Sequence, residues 1–196
     1  MCTLYKMRSS VAEVAHMFGR FQGDRVNLPP FDEIYPGYEA PVLRHCDGEL
    51  ALELMRWGVP PPPRAGTRPV VNVRNLDSPY WRAMLNDPAL HCLVPVTSFC
   101  EWTGEKGHKQ KVWFSMADPA ALPFAFAGLW RWTGEGPRMA FLTCAPNVLV
   151  GAIHPQAMPV ILPPAAFRLW LAGDHAMAVE LARPYPDAEM AIVPEG

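Results

Sequence analysis

The chain has 196 residues, 50% of them hydrophobic and 18% charged, with a formal net charge of -2. That length and apolar share are enough to bury one substantial core, and the chain is short enough for one compact domain, which excludes a multidomain chain. The slight negative charge means that any nucleic-acid contact has to come from a local basic face, because the whole-molecule field does not attract phosphate.

No run of about 18 apolar residues occurs, and MCTLYKMRSS lacks the apolar stretch of a secretory signal, so a cytoplasmic protein without a membrane partner is expected. Cys2, Cys46, Cys92, Cys100 and Cys144 are odd in number and include no CxxC pair. This argues against a disulfide framework and a structural zinc site, and implies no metal or organic cofactor. The 23 prolines are more than twice the usual share of roughly 5%, as expected for many short strands joined by rigid turns.

In chain order, Ser10 and Glu13 form a capping-box signal, and Val11, Val14, Ala15 and Phe18 follow at helical spacing. A helix ending near Gly19 is predicted, with Cys2 on an extended segment ahead of it. Residues 41–57 read as a hairpin about Asp47-Gly48, and Pro60 to Pro63 as a rigid loop. Strands are predicted over 70–73, 91–99, 111–116, 124–130 and 139–144. Ser78-Pro79 opens a short helix through Leu85, and 163–172 forms another before Gly173. The class is α+β, with strands predominating in a single domain over 1–196.

Chemistry concentrates at Cys2. Loss of Met1 leaves an α-amine and a thiol on adjacent carbons, with ordinary pKa values near 7.7–8.0 and about 8.5, so both are partly nucleophilic at neutral pH. An aldehyde reacts with such a pair: the amine forms a Schiff base and the sulfur closes a thiazolidine. Read from its position alone, Cys2 is an ordinary second residue. Asn72, Arg74, Glu101 and His154 lie at strand ends or in the loops that follow, where site residues are held firmly. Taken singly, each also has a structural reading: a turn amide, a solvated charge, a strand-end carboxylate and a loop imidazole bonded to a carbonyl.

Their order along the chain is informative. Met1-Cys2, Trp57-Gly58-Val59-Pro60, Asn72-x-Arg74, Cys92-Leu93-Val94-Pro95 leading into Phe99-Cys100-Glu101-Trp102, Phe126-Ala127-Gly128-Leu129-Trp130, Thr143, and His154 before Met158-Pro159-Val160-Ile161-Leu162 together resemble the SRAP family (SOS response-associated peptidase) over about residues 1–172, leaving 173–196 as a tail. The resemblance implies a curved, partly barrel-like, mostly antiparallel sheet with a few flanking helices. It also implies a partner, single-stranded DNA containing abasic sites, in the DNA damage response; a monomer is expected.

Carried over by position, the resemblance makes Cys2 the crosslinking nucleophile, Asn72 a hydrogen-bonding group near the amino terminus, Glu101 a general acid or base, and His154 a proton relay. It places Arg74 against phosphate, Trp57 against a base, and Thr143 among the DNA contacts. Thr3-Leu4 stands where many members have Gly-Arg, with Lys6 and Arg8 the nearest cations. The segment 154–159 is one residue longer than the commonest form and lacks its arginine, and Cys100 replaces an aromatic residue. Lys106, His108, Lys109 and Lys111 form either a basic DNA face or a solvated hairpin. The alternatives to covalent capture are a cysteine peptidase using Cys2, His154 and Glu101, and a noncatalytic binder of single-stranded DNA.

Overall fold

The computed structural model describes residues 2–22, 28–105 and 107–195. Lys106 lies outside them. An extended segment leads into β1 (Tyr5–Met7) and then α1 (Val11–Phe18). The Ser10 amide donates to the Glu13 carboxylate at 2.7 Å, and the Glu13 amide donates back to Ser10 Oγ at 3.3 Å, so the capping box forms as predicted. After β2 (Phe31–Ile34), the hairpin of β3 (Glu39–Cys46) and β4 (Glu49–Trp57) is turned by Asp47 at φ 51° and Gly48 at φ 86°. Those paired positive angles match the twist of the two strands.

The proline loop is closed at its base by a bridge between Val59 and Val70. β5 is only Asn72–Val73, shorter than the predicted strand. α2 (Pro79–Leu85) starts at the expected proline, although Ser78 makes no side-chain cap. The predicted strand over 91–99 is two strands, β6 (His91–Val96) and β7 (Ser98–Thr103), broken at Thr97. Thr97 is clamped there, its amide donating to Lys6 O at 2.8 Å and its carbonyl accepting from Ser115 Oγ at 2.7 Å. Because nearly every residue on both sides of the break is buried, no change of alternation marks it in the sequence.

β8 (Gln110–Met116), β9 (Phe124–Thr133) and β10 (Gly136–Cys144) extend the predicted runs. Beyond them come α3 (Val148–Gly151), β11 (Met158–Pro159), β12 (Ile161–Leu162), α4 (Phe167–Ala172), α5 (His175–Leu181) and β13 (Met190–Val193). The predicted 163–172 helix begins as a 3-10 turn over Pro164–Ala166 before α4. No helix among the described residues is long and apolar enough to cross a membrane.

Five strands close on themselves in the order β10, β4, β3, β6, β9 and back to β10, and all of these pairs are antiparallel except β4 with β10. β5, β11 and β12 attach to this barrel. A second antiparallel sheet runs β13-β8-β7-β1-β2. The tail expected over 173–196 is part of the fold as far as residue 195, because β13 pairs with β8 from Met190↔Met116 to Val193↔Trp113. The two sheets share one core, in which Tyr5 meets Trp57 edge-on at 5.1 Å and Trp57 stacks on Phe141 at 5.1 Å. The architecture is α+β, as the sequence implies.

Candidate functional site

Four elements deliver side chains to one place. Cys2, on the segment ahead of β1, is fully buried, and its Sγ donates to Leu4 O at 3.5 Å. Asn72 opens β5, and its Nδ2 donates to Cys2 O at 2.8 Å, joining the chain start to the barrel across 70 residues of sequence. Asn72 Oδ1 is also buried and has no hydrogen-bond partner among the described residues. A buried acceptor of this kind is costly unless a donor arrives.

Glu101 lies in β7, opposite Val112 of β8. Alternation along β7 turns Phe99 toward the main core and Cys100 toward a small cluster with Leu4 and Trp113, so Glu101 projects to the same side as Phe99. Its carboxyl is 2% exposed and its Oε2 lies 3.9 Å from Nδ1 of His154. Burial lifts its pKa to about 7, while the amino-terminal charge pulls in the opposite direction. His154 follows α3, with its amide donating to Val150 O at 2.8 Å. Partial burial, the amino-terminal charge and Lys109 all hold it below its ordinary pKa.

The Cys2 thiol is pushed well above its usual range by burial, and the charge of Glu101 adds to that rise. At neutral pH the cluster is thus a protonated thiol, a neutral imidazole and a carboxyl close to half-ionised. Such a cluster can move a proton at neutral pH.

The other predicted residues divide. Arg74 is exposed one residue beyond β5, and its charge reaches Cys144 at the end of β10, where burial dominates and raises the thiol to about 11. Trp57 does not offer a face to a base: it is fully buried between Tyr5 and Phe141, with Nε1 donating to Val71 O at 2.9 Å. Thr143 is likewise buried, and its Oγ1 donates to Val73 O at 3.4 Å, fastening β10 to β5. In a barrel this small, inward-facing strand positions are filled by such side chains.

The lysine-rich hairpin also divides. Lys111 bonds to Glu33 and, at 2.8 Å, to Glu195, on the opposite face of the sheet from Glu101. His108 and Lys109 are exposed at the hairpin, and the charge of Lys109 reaches His154. Arg8 is 2.7 Å from Asp32, and Lys6 lies over the Trp113 ring at 4.1 Å. Tyr5 carries no motif signal, yet it is fully buried in the core, its hydroxyl has no hydrogen-bond partner among the described residues, and the charge of Cys2 reaches it. Among the described residues no three His, Cys, Asp or Glu side chains gather into a possible metal site.

The fold is shared with proteins of known structure. A protein from Bacteroides thetaiotaomicron superposes with a TM-score of 0.80 at 20% identity, covering 98% of this chain and 92% of its own. Two proteins from Bordetella bronchiseptica are similar: one with a TM-score of 0.79 at 22% identity over 98% of this chain and 100% of its own, the other, described as phage-related, with 0.75 at 23% over 98% and 93%. No curated protein matches significantly in sequence. The family model of the SOS response associated peptidase (SRAP) matches residues 1–194, taking in β13, and the chain therefore belongs to the SRAP family.

Proposed function

We propose that this protein captures abasic sites in single-stranded DNA as a covalent thiazolidine on Cys2, once Met1 has been removed. The observation that carries this reading is the hold of Asn72 Nδ2 on Cys2 O at 2.8 Å beside the Glu101–His154 pair. It fixes the chain start next to a carboxyl whose pKa of about 7 suits it to give and take protons at neutral pH. Membership of the SRAP family associates the chain with the SOS response.

In this scheme the buried Asn72 Oδ1 receives the amine of Cys2. Protonated Glu101 gives a proton to the ring oxygen as its bond to the anomeric carbon breaks, and the anomeric hydroxyl loses its proton to His154 as the carbonyl forms, so the deoxyribose opens to its aldehyde. The amine attacks the aldehyde carbon, water leaves, and a Schiff base forms. The Sγ then bonds to that carbon, the C=N electron pair moves to nitrogen, and the thiol proton ends there through Glu101 or His154. Every atom is conserved apart from the one water released.

The raised thiol favours this order over a peptidase in which a thiolate–imidazolium pair attacks first, since such a pair needs a lowered thiol pKa. The test mixes Met1-free protein with single-stranded DNA carrying one abasic site and follows a denaturing gel. A heat-stable shifted band is expected, absent with Cys2→Ala and with undamaged DNA. Glu101→Gln should slow its formation by about 10²–10⁴-fold. No band from Met1-free protein overturns the reading and leaves noncovalent DNA binding or peptide hydrolysis.

A further inference from the structure

A cavity of about 800 Å³ lies where the end of α1, the tip of the β3–β4 hairpin and α4 meet. The strand register places it at the other end of the barrel from Cys2. Leu43 pairs with Leu93, so the hairpin tip lies toward the start of β6, whereas the end of β6 runs into Thr97 and the sheet that carries Glu101. Phe18 stacks on Phe167 at 4.9 Å, tying α1 to α4 along one wall. Leu93 and Leu171 are buried beneath.

Above this apolar floor stand Arg20, His45 and Arg168, all exposed, and none of their side chains has a hydrogen bond or ion pair among the described residues. Glu49, the one carboxylate among the described lining residues, is taken by Gln22 Nε2 at 2.8 Å. The two guanidinium groups over an apolar floor outweigh the single negative charge of Glu49 among the described lining residues. A guanidinium presents a planar fork that matches phosphate oxygens in pairs, and its own charge is satisfied by them. The volume is far larger than an inorganic anion needs and falls within the range of small-molecule sites.

We propose that this cavity binds a phosphomonoester carried on a planar apolar body, of the size of a nucleoside 5′-monophosphate, at a site separate from Cys2. The same chemistry is offered by a free nucleotide and by the 5′-phosphorylated end of a nucleic-acid strand. Titration calorimetry on the full chain carrying Cys2→Ser keeps the test independent of covalent capture. The probes are adenosine 5′-monophosphate, adenosine, inorganic phosphate and a short 5′-phosphorylated oligonucleotide.

The monophosphate should bind saturably with a Kd on the order of 0.1–1 mM. Adenosine and inorganic phosphate should each bind at least about tenfold more weakly, as should the monophosphate to Arg20→Gln or Arg168→Gln. Unchanged thermal midpoints of the variants show that their folds are intact. An oligonucleotide that binds as well as the monophosphate and is weakened equally by Arg20→Gln or Arg168→Gln identifies a strand end as the ligand, and one whose binding ignores both substitutions identifies the free nucleotide. Absence of saturable binding up to about 10 mM, or affinity unaffected by both arginine substitutions, overturns the proposal.

Discussion

Cys2 and Glu101 are both buried, and the charge of Glu101 adds to the cost of ionising the Cys2 thiol. A carboxyl whose pKa stands at about 7 in the fold, against an ordinary 4.5, binds its proton more tightly folded than unfolded. Its stabilising contribution is full below pH 4.5 and is lost as pH rises through 7. That window corresponds to roughly 3 kcal/mol. Glu101→Gln keeps the shape and removes the charge, so it should raise the thermal midpoint at pH 8 and leave it nearly unchanged at pH 5. Equal shifts at both pH values would mean that Glu101 does not titrate in this window. If the same variant also slows capture, the site gives up stability to keep a carboxyl where protons must move.

At the scale of elements, two glycines serve opposite purposes. Gly48 turns the β3–β4 hairpin at φ 86°, and a Cβ built there meets nothing within 4 Å. Gly128, in the middle of β9, pairs with both Cys92 and Phe141, and a Cβ built on it lies 2.7 Å from Cys92 Sγ and 2.9 Å from a methyl of Val94. The first needs glycine for its backbone angle and the second for space between barrel strands. Gly48→Ala should cost about 1 kcal/mol in urea unfolding. Gly128→Ala should cost about 1–3 kcal/mol or more, because close-packed strands must separate. A smaller loss at Gly128 than at Gly48 would show that the barrel wall yields at Cys92.

Across the whole molecule, closure of five strands leaves the barrel without a free edge, whereas the second sheet ends at β2 and β13. Amides of β6 and β9, each paired on both sides, should exchange hydrogen only on global unfolding. Those of β2, paired on one side with β1, should exchange through smaller openings. Native-state hydrogen exchange monitored by mass spectrometry checks this, and protection of β2 equal to that of β6 would show one cooperative unit in place of two. The segment ahead of β1, which bears Cys2, joins the second sheet to the barrel through Asn72. The site thus sits on the seam between the two parts.

Local patterns in the sequence determined much of this protein. The Ser10–Glu13 cap, the Asp47-Gly48 turn and most strand runs depend on neighbouring residues and are legible without a fold. The ordered motifs identified Cys2, Asn72, Glu101 and His154 as a set, and the structure brings Asn72 to Cys2 and His154 to Glu101. Only the tertiary structure decided what depends on long-range closure. It split 91–99 at Thr97, because a strand passing between sheets stays buried on both sides of the break. It made 173–195 part of the fold, because a four-residue strand such as β13 acquires its register from β8 and not from its own pattern. It drew Trp57 and Thr143 inside, because a motif residue on a closed barrel points inward or outward according to a register that no single segment contains. And it gave Glu101 its pKa of about 7, because burial is a property of everything packed around a carboxyl and not of the residue itself.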